Sequence, residues 1–579
     1  MKKLSFILAL LCMAIGTSAQ IDTPLTLEAI ENGTITFTNK AWFSVTYSID
    51  GGAAQTIDAG QQAEIVLNSG QKVAFFGDNA EYSDGNYQSS NIRGKAPFYA
   101  YGNVMSLVNS TEYATAKTLV QGWVFAHLFE GAETLMSHPT NELVLPATTV
   151  TDGCYEYMFN GCKSMTRAPK LPATDVARAC YRGMFSGCEK LATAPELPAT
   201  TMADECYYNM FFDCLALTAA PQLPATTLAP RCYQHMFHGC HSLATAPELP
   251  ATTMAMACYY CMFADCFSLT VAPKLPATTL DTGCYEYMFQ HCAITEAPAL
   301  PATTLANECY ASMFIACSNL TVAPQLPATT MAESCYSGMF CSCTALTEAP
   351  VLSSTTLAES CYNGMFDGCT ALTQAPELPA TEMVKYCYAG MFSRCTALTE
   401  TPDLPSTSLA EECYSGMFGN CTGLTKAHQL PATTLVQGCY RYMFKNCTSL
   451  QASPLLPAPK LVDFCYEQMF SGCSSLSNVT CLITDFNDAW WGIYYWLSGV
   501  SPTGTFVMAK GMQSQWPVGG EFGFPAGWTI EEIGTETDIQ TIDDHRGGAA
   551  PYYNLSGRYV ASPSQGLYIY DGKKILLRK

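Results

Sequence analysis

The sequence predicts an α/β solenoid, in which 26-residue units of one short strand and one helix stack behind a small all-β domain. Three recurring features predict it. A Cys-Tyr pair occurs thirteen times between Cys154 and Cys465; eleven of the twelve intervals are 26 residues long and one is 25. Met-Phe begins three residues after each of these tyrosines, and a second cysteine lies eight residues after the first. One helix and one strand cannot bury an apolar face alone, so each unit needs neighbours on both sides.

The helix of the unit is predicted from the ninth copy, residues 357–379. Apolar side chains recur there every four residues, as on one face of a helix: Leu357, Cys361 and Met365. Thr356 and Glu359 have the spacing of a capping box, in which a hydroxyl and a carboxylate satisfy free amides at a helix start. Gly368 then supplies a left-handed residue at the helix end.

The strand is predicted to follow the helix at residues 372–379. Leu372, Ala375 and Leu378 are expected to point inward along it. The prolines of this segment stop the strand and turn the chain, because proline cannot continue a ladder of backbone hydrogen bonds.

The core of the unit resembles that of the bacterial surface leucine-rich repeats called BspA-like. That core runs Ala-Phe-x-x-Cys-x-x-Leu-Thr before a strand that ends in proline, and residues 365–373 here run Met-Phe-Asp-Gly-Cys-Thr-Ala-Leu-Thr. The resemblance covers about residues 124–480, with a longer unit and an added Cys-Tyr pair. It implies an α/β leucine-rich-repeat solenoid at a bacterial surface, with adhesion as its role.

The regions flanking the array differ from it in composition. Six segments are predicted: a signal peptide (1–19), a β-rich, sandwich-like domain (20–105), an N-terminal cap with a degenerate repeat (106–153), the thirteen Cys-Tyr repeats (154–480), a C-terminal cap (481–530), and a linker with a C-terminal β-hairpin export tail (531–579).

The signal peptide is predicted from its charge and its apolar run. Two lysines open it, residues 4–15 form the apolar stretch, and small residues at 17–19 form a cleavage site. No later run reaches the ~18 apolar residues that a membrane helix needs. The sequence therefore predicts a protein that is secreted or attached to the outer surface after cleavage following Ala19.

Alternating apolar residues predict strands in the N-terminal domain at 34–38, 43–49, 63–67 and 72–76, with a hairpin turn at 50–52. Residues 124–147 look like a degenerate first repeat. Leu128-Phe129 stands there for Met-Phe, and Val124 and Ala132 occupy the cysteine positions. A solenoid end is closed by such an atypical unit.

Two aromatic-rich segments follow the array. The run at residues 490–497 is favoured as the core of the C-terminal cap over an exposed platform for glycans. Residues 553–558 and 566–574 suggest two strands with an Asp-Gly hairpin. They resemble the short tails that Bacteroides-group bacteria place on exported proteins, some of them substrates of type IX secretion.

Composition excludes several classes of function. The chain has 49 acidic and 28 basic residues, a net charge of −21, whereas a nucleic-acid-binding protein would need a basic stripe. No Ser/His/Asp arrangement, phosphate-binding glycine loop or carboxylate pair stands apart from the repeat pattern. The sequence therefore predicts a protein that is not an enzyme and has no cofactor, metal, nucleic-acid partner or transmembrane segment.

The cysteines allow more than one interpretation. Buried thiols are favoured, because eight residues of helix span ~12 Å, whereas a disulfide needs Cα atoms within ~7 Å. Disulfides are the alternative in an exported chain that reverses sharply after the phenylalanine, and metal binding is the least favoured. Cys261, Cys341 and Cys481 fall outside the pattern, so at least one unpaired thiol is expected. The structural pairs singled out are Cys154/Cys162, Cys180/Cys188, Cys206/Cys214 and Cys361/Cys369.

Histidines and tyrosines of the repeats raise two further alternatives. His235, His238 and His241 lie in repeat four, and imidazoles at i and i+3 of a helix can share a metal. These columns vary freely in other copies, which favours a solvated face instead. The tyrosine beside each first cysteine is the same in all copies, which favours packing between neighbouring helices over an aromatic ladder for sugars or peptides.

A binding surface on the array is expected where the repeats vary, since scaffold positions stay constant. The columns on either side of the Ala-Pro pair do vary. The candidate binding residues there are Arg167, Lys170, Glu196, Lys274, Glu296, Glu348, Gln374, Glu400 and Lys426.

Together these features favour an exported, monomeric binding protein that adheres to a host or bacterial surface protein or glycan. One alternative is a glycan-binding accessory protein for nutrient capture, which predicts exposed aromatic side chains such as Trp490. Another is a structural spacer that displays the N-terminal domain.

Overall fold

The computed structural model describes residues 21–83 and 89–533, together with five short strands between residues 540 and 578. The chain folds into two compact units, the first ending at Pro327 and the second beginning at Ala328. Repeats one to seven lie in the first unit and repeats eight to thirteen in the second. The predicted signal peptide lies outside the described residues.

The first unit opens with strands in two antiparallel sheets. One sheet has the order β5-β2-β7, and the other contains β8, β1, β6, β3 and β4 in that order. The predicted strands at 34–38, 43–49, 63–67 and 72–76 are confirmed as β2, β3, β5 and β6. The eight strands are β1 (Thr26–Ala29), β2 (Gly33–Thr38), β3 (Val45–Ile49), β4 (Gln55–Ile57), β5 (Gln62–Leu67), β6 (Lys72–Gly77), β7 (Asn91–Gly94) and β8 (Phe98–Asn103).

The two sheets pack face to face around apolar side chains. Phe37 of β2 lies edge-on to Phe75 of β6 across the sandwich, with 5.2 Å between ring centroids. The predicted hairpin joins β3 to β4: Asp50 and Gly51 have φ of +49° and +71°, and the amide of Gly52 donates to the carbonyl of Ile49. Two successive positive φ angles suit a tight turn whose twist matches that of the flanking strands.

The predicted helix of the repeats is wrong. The only regular helices of the described residues are two 3₁₀ turns outside the thirteen repeats, Val104–Leu107 and Trp490–Ile493. Thr356 caps no helix; it forms a parallel bridge with Thr330, the residue at the same column of the preceding repeat. Gly368 has the expected positive φ of +76°, but its amide donates to Ser393 of the next repeat. The array is a solenoid of stacked coils.

Each coil replaces the helix with a run of overlapping turns, which repeat one shows. Alternate amides close local turns: those of Cys154, Glu156, Met158, Asn160 and Cys162 donate to the carbonyl three residues earlier. The intervening amides reach the next coil and donate to carbonyls 25 residues later; they belong to Gly153, Tyr155, Tyr157, Phe159 and Gly161. Every amide in the segment is satisfied, although no helix or strand forms.

Every fourth residue of this segment has a positive φ. In repeat one these are Gly153, Tyr157 and Gly161, at +60°, +51° and +74°. The same three columns have positive φ in every repeat, with side chains as large as Tyr386 and Arg394. Left-handed residues at this interval fold the chain back and forth within one layer, which regular α-helical angles would not do.

The period of this segment is four residues, two pointing inward and two outward. Cys361, Tyr362, Met365 and Phe366 are buried, while the residues between these pairs are at least partly exposed. Apolar residues at i, i+4 and i+8 line one side of a helix and also one side of this coil. The predicted apolar stripe is therefore correct, although the predicted helix is not.

On the opposite side of the coil, the predicted strand is reduced in most repeats to single parallel bridges. Leu372 and Leu378 are buried, as predicted for the inward positions, whereas Ala375, also predicted to point inward, is only partly buried. Each bridge joins residues at the same column of neighbouring repeats, as between Arg167 and Thr193 or between Glu400 and Lys426. Longer strands occur at the ends of the array: β9 (Leu135–Ser137), β10 (Leu143–Val144), β11 (Ala452–Leu456), β12 (Asn478–Cys481), β13 (Gly504–Ala509) and β14 (Trp528–Ile533).

Two aromatic stacks fill the core of each unit. Tyr155 stacks on Tyr181 with centroids 5.7 Å apart, and Phe159 on Phe185 at 5.6 Å, both pairs within 2° of parallel. In the second unit Phe366 stacks on Phe392 at 5.6 Å. The tyrosine column therefore packs between neighbouring coils and is not an exposed ladder.

The degenerate first repeat forms a coil of its own. Phe129 stacks on Phe159 of repeat one at 5.6 Å, and Val124 and Ala132 are buried where the cysteines would lie. Tyr82, from the sandwich, stacks on Phe125 at 6.3 Å, and its amide donates to the carbonyl of Val124. The sandwich thus covers the open end of the array in the first unit.

The C-terminal end of the second unit is closed differently. Strands β11, β12, β13 and β14 pair in parallel, in chain order. Trp496 occupies a methionine column and is fully buried. The tail contains the remaining strands, of which β18 and β19 pair antiparallel on either side of the predicted Asp-Gly turn. That turn and residues 554–558 of the other predicted strand lie outside the described residues. These strands are β15 (Gln540–Asp543), β16 (Tyr552–Tyr553), β17 (Tyr559–Val560), β18 (Gly566–Tyr570) and β19 (Lys573–Arg578).

Candidate functional site

All nine candidate binding residues are exposed and lie at, or three residues after, the column of Arg167 and Glu400. The bridges of that column define the bridge-bearing side of the coils. The first unit contains Arg167, Lys170, Glu196, Lys274 and Glu296, and the second contains Glu348, Gln374, Glu400 and Lys426. Stacking brings some of them together: Lys426 Nζ lies 2.7 Å from Glu400 Oε2, one repeat away. The hydrogen bond from Lys426 lowers the pKa of the Glu400 carboxyl.

The basic pair at the start of the array lines a shallow cavity of about 110 Å³. Arg167 donates to the backbone carbonyl oxygens of His138 and Asn141, at 2.9 and 3.3 Å. Lys170 Nζ lies 3.4 Å from Glu142 Oε2. Burial lowers the pKa of the His138 imidazole, which lies edge-on between two tyrosines of the sandwich. Lys170 is thus paired with a carboxylate, whereas the partners of Arg167 are backbone carbonyls.

The repeat cysteines lie in the core as separate thiols. The singled-out residues, all buried and none in a disulfide, are Cys154, Cys162, Cys180, Cys188, Cys206, Cys214, Cys361 and Cys369. The second cysteine of a repeat donates its S–H to the carbonyl of a phenylalanine in the preceding coil, as from Cys188 to Phe159 at 3.2 Å. Burial raises the pKa of the Cys188 thiol to about 12. The column therefore has a hydrogen-bonding role that the sequence did not reveal.

The histidines of repeat four form a cluster that sequence analysis anticipated only in part. His235 Nδ1 lies 3.2 Å from His238 Nδ1, and His238 Nε2 lies 3.1 Å from Asp265 Oδ2 in the next repeat. His241 does not join them; it is exposed and packs against Phe267. The solvated-face interpretation holds for His241 and is wrong for His235 and His238, which are partly buried.

Cys261 completes this cluster. A ring nitrogen of each of His235 and His238 and the Sγ of Cys261 all lie within 4.8 Å of one another. Burial, and to a smaller extent the neighbouring His238, lowers the pKa of His235 to about 4. Cys261 is 26 residues after His235 and therefore has the same column in the next coil. A comparison of columns, rather than of helix faces, would have found it.

An aromatic patch lies on the C-terminal cap. Trp490 and Trp491 are 38% and 52% exposed, and both lie near Phe522, with 6.4 Å between ring centroids in each case. Tyr495 donates its hydroxyl hydrogen to Glu521 at 2.8 Å. The cap-core interpretation of the run at 490–497 is thus correct for Trp496, while the two preceding tryptophans reach the surface.

Comparison with known proteins identifies the array. The chain matches the family model "BspA type Leucine rich repeat region" in six copies, over residues 231–373, 311–450 and 411–487. Among solved structures it is similar to a leucine-rich repeat protein from Eubacterium ventriosum, at 13% identity and a TM-score of 0.26, covering 66% of this chain and 80% of that one. No curated protein sequence matches it. The resemblance found in the repeat core is confirmed: residues 231–487 match the BspA-type leucine rich repeat model.

Proposed function

We propose that this chain is an exported adhesion protein that binds a host or bacterial surface protein through the bridge-bearing side of its array. One observation carries the proposal: the nine varying positions are all exposed, on a scaffold whose Cys, Tyr, Met and Phe columns are the same in all thirteen repeats. A rigid scaffold with variable exposed positions suits recognition, because little ordering entropy is lost on binding. The family match supports a surface repeat protein that binds other proteins.

Other features agree with a binding role. Among the described residues, no helix is both long and apolar enough to cross a membrane. The exposed positions carry both signs of charge, which favours selective contacts with a protein over attraction to any polyanion. We infer that the protein acts as a monomer without a cofactor, secreted or attached to the outer surface through its signal peptide and C-terminal tail.

The proposal is tested with the full mature chain on arrays of extracellular-matrix proteins, bacterial surface proteins and glycans. A variant with Glu348→Lys, Glu400→Lys and Lys426→Glu reverses three charges of the second unit without touching the core. We expect the parent to bind at least one protein and the variant to bind it at least tenfold more weakly. A parent that binds no protein, or a variant that binds equally well, contradicts the proposal.

A second candidate is glycan capture by the aromatic patch of the C-terminal cap. Flat, partly exposed indole rings beside a carboxylate and a phenol offer both the stacking and the hydrogen bonds that sugars use. Trp490→Ala with Trp491→Ala should then abolish glycan binding. Trp42→Ala, which removes a 77% exposed tryptophan from the sandwich, serves as the matched control.

A third candidate makes the array a spacer for the N-terminal sandwich. Trp42 and Phe43 are 77% and 66% exposed beside one another in the sequence, an arrangement common at interfaces. If Trp42→Ala with Phe43→Ser abolishes protein binding and the charge-reversed array does not, the sandwich is the binding domain.

A further inference from the structure

The cluster of His235, His238 and Cys261 has no part in the proposed adhesion. It lies where repeat four meets repeat five, away from the bridge-bearing columns in sequence, and no other repeat reproduces it. Within the described residues it is the one group of three metal-ligating side chains whose donor atoms converge. We propose that it binds one divalent ion of the zinc class, and the inference is independent of the proposed function.

The spacing of the two imidazoles fits such an ion. Zn–N bonds of about 2.0–2.1 Å in tetrahedral geometry separate two ligand nitrogens by about 3.3 Å. The Nδ1 atoms of His235 and His238 are 3.2 Å apart. The Cys261 sulfur is within 4.8 Å of the histidine donor atoms, so it needs only a small side-chain movement to complete three ligands. A water molecule can take the fourth position, as in zinc sites with three protein ligands.

The groups behind the ligands are those that orient a metal-binding histidine. His238 Nε2 lies 3.1 Å from the Asp265 carboxylate, so this carboxylate can hold the Nε2–H and leave Nδ1 free to bind. His291 Nδ1 lies 2.7 Å from the other oxygen of Asp265 and fixes that carboxylate in turn. A cation here would therefore meet an oriented ring with a negative group behind it.

Aromatic rings enclose the cluster and limit its motion. Tyr208 and Tyr260 lie edge-on to His235, with centroids at 6.0 and 5.2 Å, and Phe212 lies 5.0 Å from His238. Binding would convert the Cys261 thiol to a thiolate and release its proton to solvent, as thiol ligation requires. The alternative is a hydrogen bond between two neutral imidazoles, with no ion.

The repeats themselves provide substitutions that the fold accepts. His235→Asn copies Asn209, the residue at the same column one repeat earlier. His238→Ala and Cys261→Ser copy Ala264 and Ser312, which occupy the same columns one and two repeats later. The matched controls are His241→Thr, which removes the histidine outside the cluster, and Cys341→Ser, which removes an off-pattern cysteine of another repeat.

The full mature chain, kept reduced, is titrated with Co²⁺ and then with Zn²⁺. We expect one Co²⁺ per chain with a thiolate-to-cobalt charge-transfer band in the near ultraviolet, and displacement of Co²⁺ by Zn²⁺. Cys261→Ser should abolish the band, and His235→Asn or His238→Ala should weaken binding at least tenfold. Asp265→Asn should weaken it by about 10-fold, as expected for a group that orients a ligand.

Two further readouts decide the outcome. Zn²⁺ should raise the unfolding temperature of the parent and of both controls but not of Cys261→Ser, because an ion that binds only the folded chain stabilises it. A parent without the charge-transfer band, or a Cys261→Ser variant that binds Co²⁺ as the parent does, shows a hydrogen-bonded histidine pair only and overturns the proposal.

Discussion

The sandwich and the array satisfy their backbone in different ways. In the sandwich, amides pair between strands, as in the six-residue register of β2 with β5. In the array, alternate amides close turns within a coil and the rest cross to the next coil. A residue of the sandwich therefore depends on strands distant in sequence, whereas a residue of the array depends on its copies in neighbouring coils. The destabilising effect of one substitution should therefore extend to different neighbours in the two regions.

The largest expected difference between the array and the sandwich is the loss of stability in alkaline solution. Burial raises the pKa of the Cys188 thiol to about 12, above the ~8.5 of an unfolded chain, so folding favours the protonated thiol. Its contribution to stability is complete below pH ~8.5 and is lost as the pH rises toward 12. Many array cysteines share this direction, and the sandwich contains none.

We therefore expect the array to unfold in progressively less urea from pH 8 to pH 10 under reducing conditions, while the sandwich changes little below pH 10. Circular dichroism and the masses of protease-resistant fragments report this. About 29 thiols should titrate in the denatured, unreduced mature chain, and about three would instead establish disulfides. An array that keeps its urea midpoint at pH 10 contradicts the buried-thiol interpretation.

The next largest effect is loss of one core ring in each region. Phe392→Ala removes a ring stacked between Phe366 and Phe418, and Phe37→Ala removes one that meets Phe75. Each should cost roughly 3–5 kcal/mol of stability. Hydrogen exchange should rise in the repeats on either side of Phe392 but not in the sandwich. Exchange that rises equally in both regions would show that they unfold together.

A smaller effect is expected from replacing glycine by alanine, and the sign of the stability change distinguishes a coil from a helix. Gly416 in the array and Gly51 in the sandwich have φ of +61° and +71°, and no atom lies within 4 Å of a Cβ added to either. Alanine at each should destabilise the chain by about 1–2 kcal/mol through its backbone alone. In a helix interior, Gly→Ala would instead stabilise by roughly 1 kcal/mol. Chemical denaturation measures the sign, with Gly416→Asn as the milder control.

The smallest effect concerns exposed ion pairs. Lys426 and Glu400 in the array, and Lys95 and Glu64 in the sandwich, are 2.7 and 3.3 Å apart. Each pair should contribute no more than about 0.2–1 kcal/mol, because solvent screens it. Double-mutant cycles at low and high salt would measure both. A coupling well above this range in the array would indicate that the stacked charges act as a network.

The sequence predicted burial better than local structure. Leu357, Cys361 and Met365 recur every four residues, and a helix drifts by about 40° at each such step. Thirteen copies that keep a period of four without drift favour a coil, although glycine at Gly364 and Gly368 also suits a helix end. The strands of the sandwich were predictable because alternating apolar and polar residues indicate a β-strand and no other regular structure. Cys261 was missed because its significance depends on His235 in the neighbouring coil, which no local pattern contains.

The alternation of amides also has a mechanical consequence. Five backbone hydrogen bonds of the turn segment join repeat one to repeat two, along the direction in which the coils stack. Tension along that direction is carried by all such sets in series, so the weakest set should fail first and the coils should separate in succession rather than together. Each released coil would add about 90 Å of chain, from 26 residues at up to ~3.5 Å each. A molecule anchored at one end and bound to a partner at the other would thus lengthen in steps under flow before it dissociated from the partner.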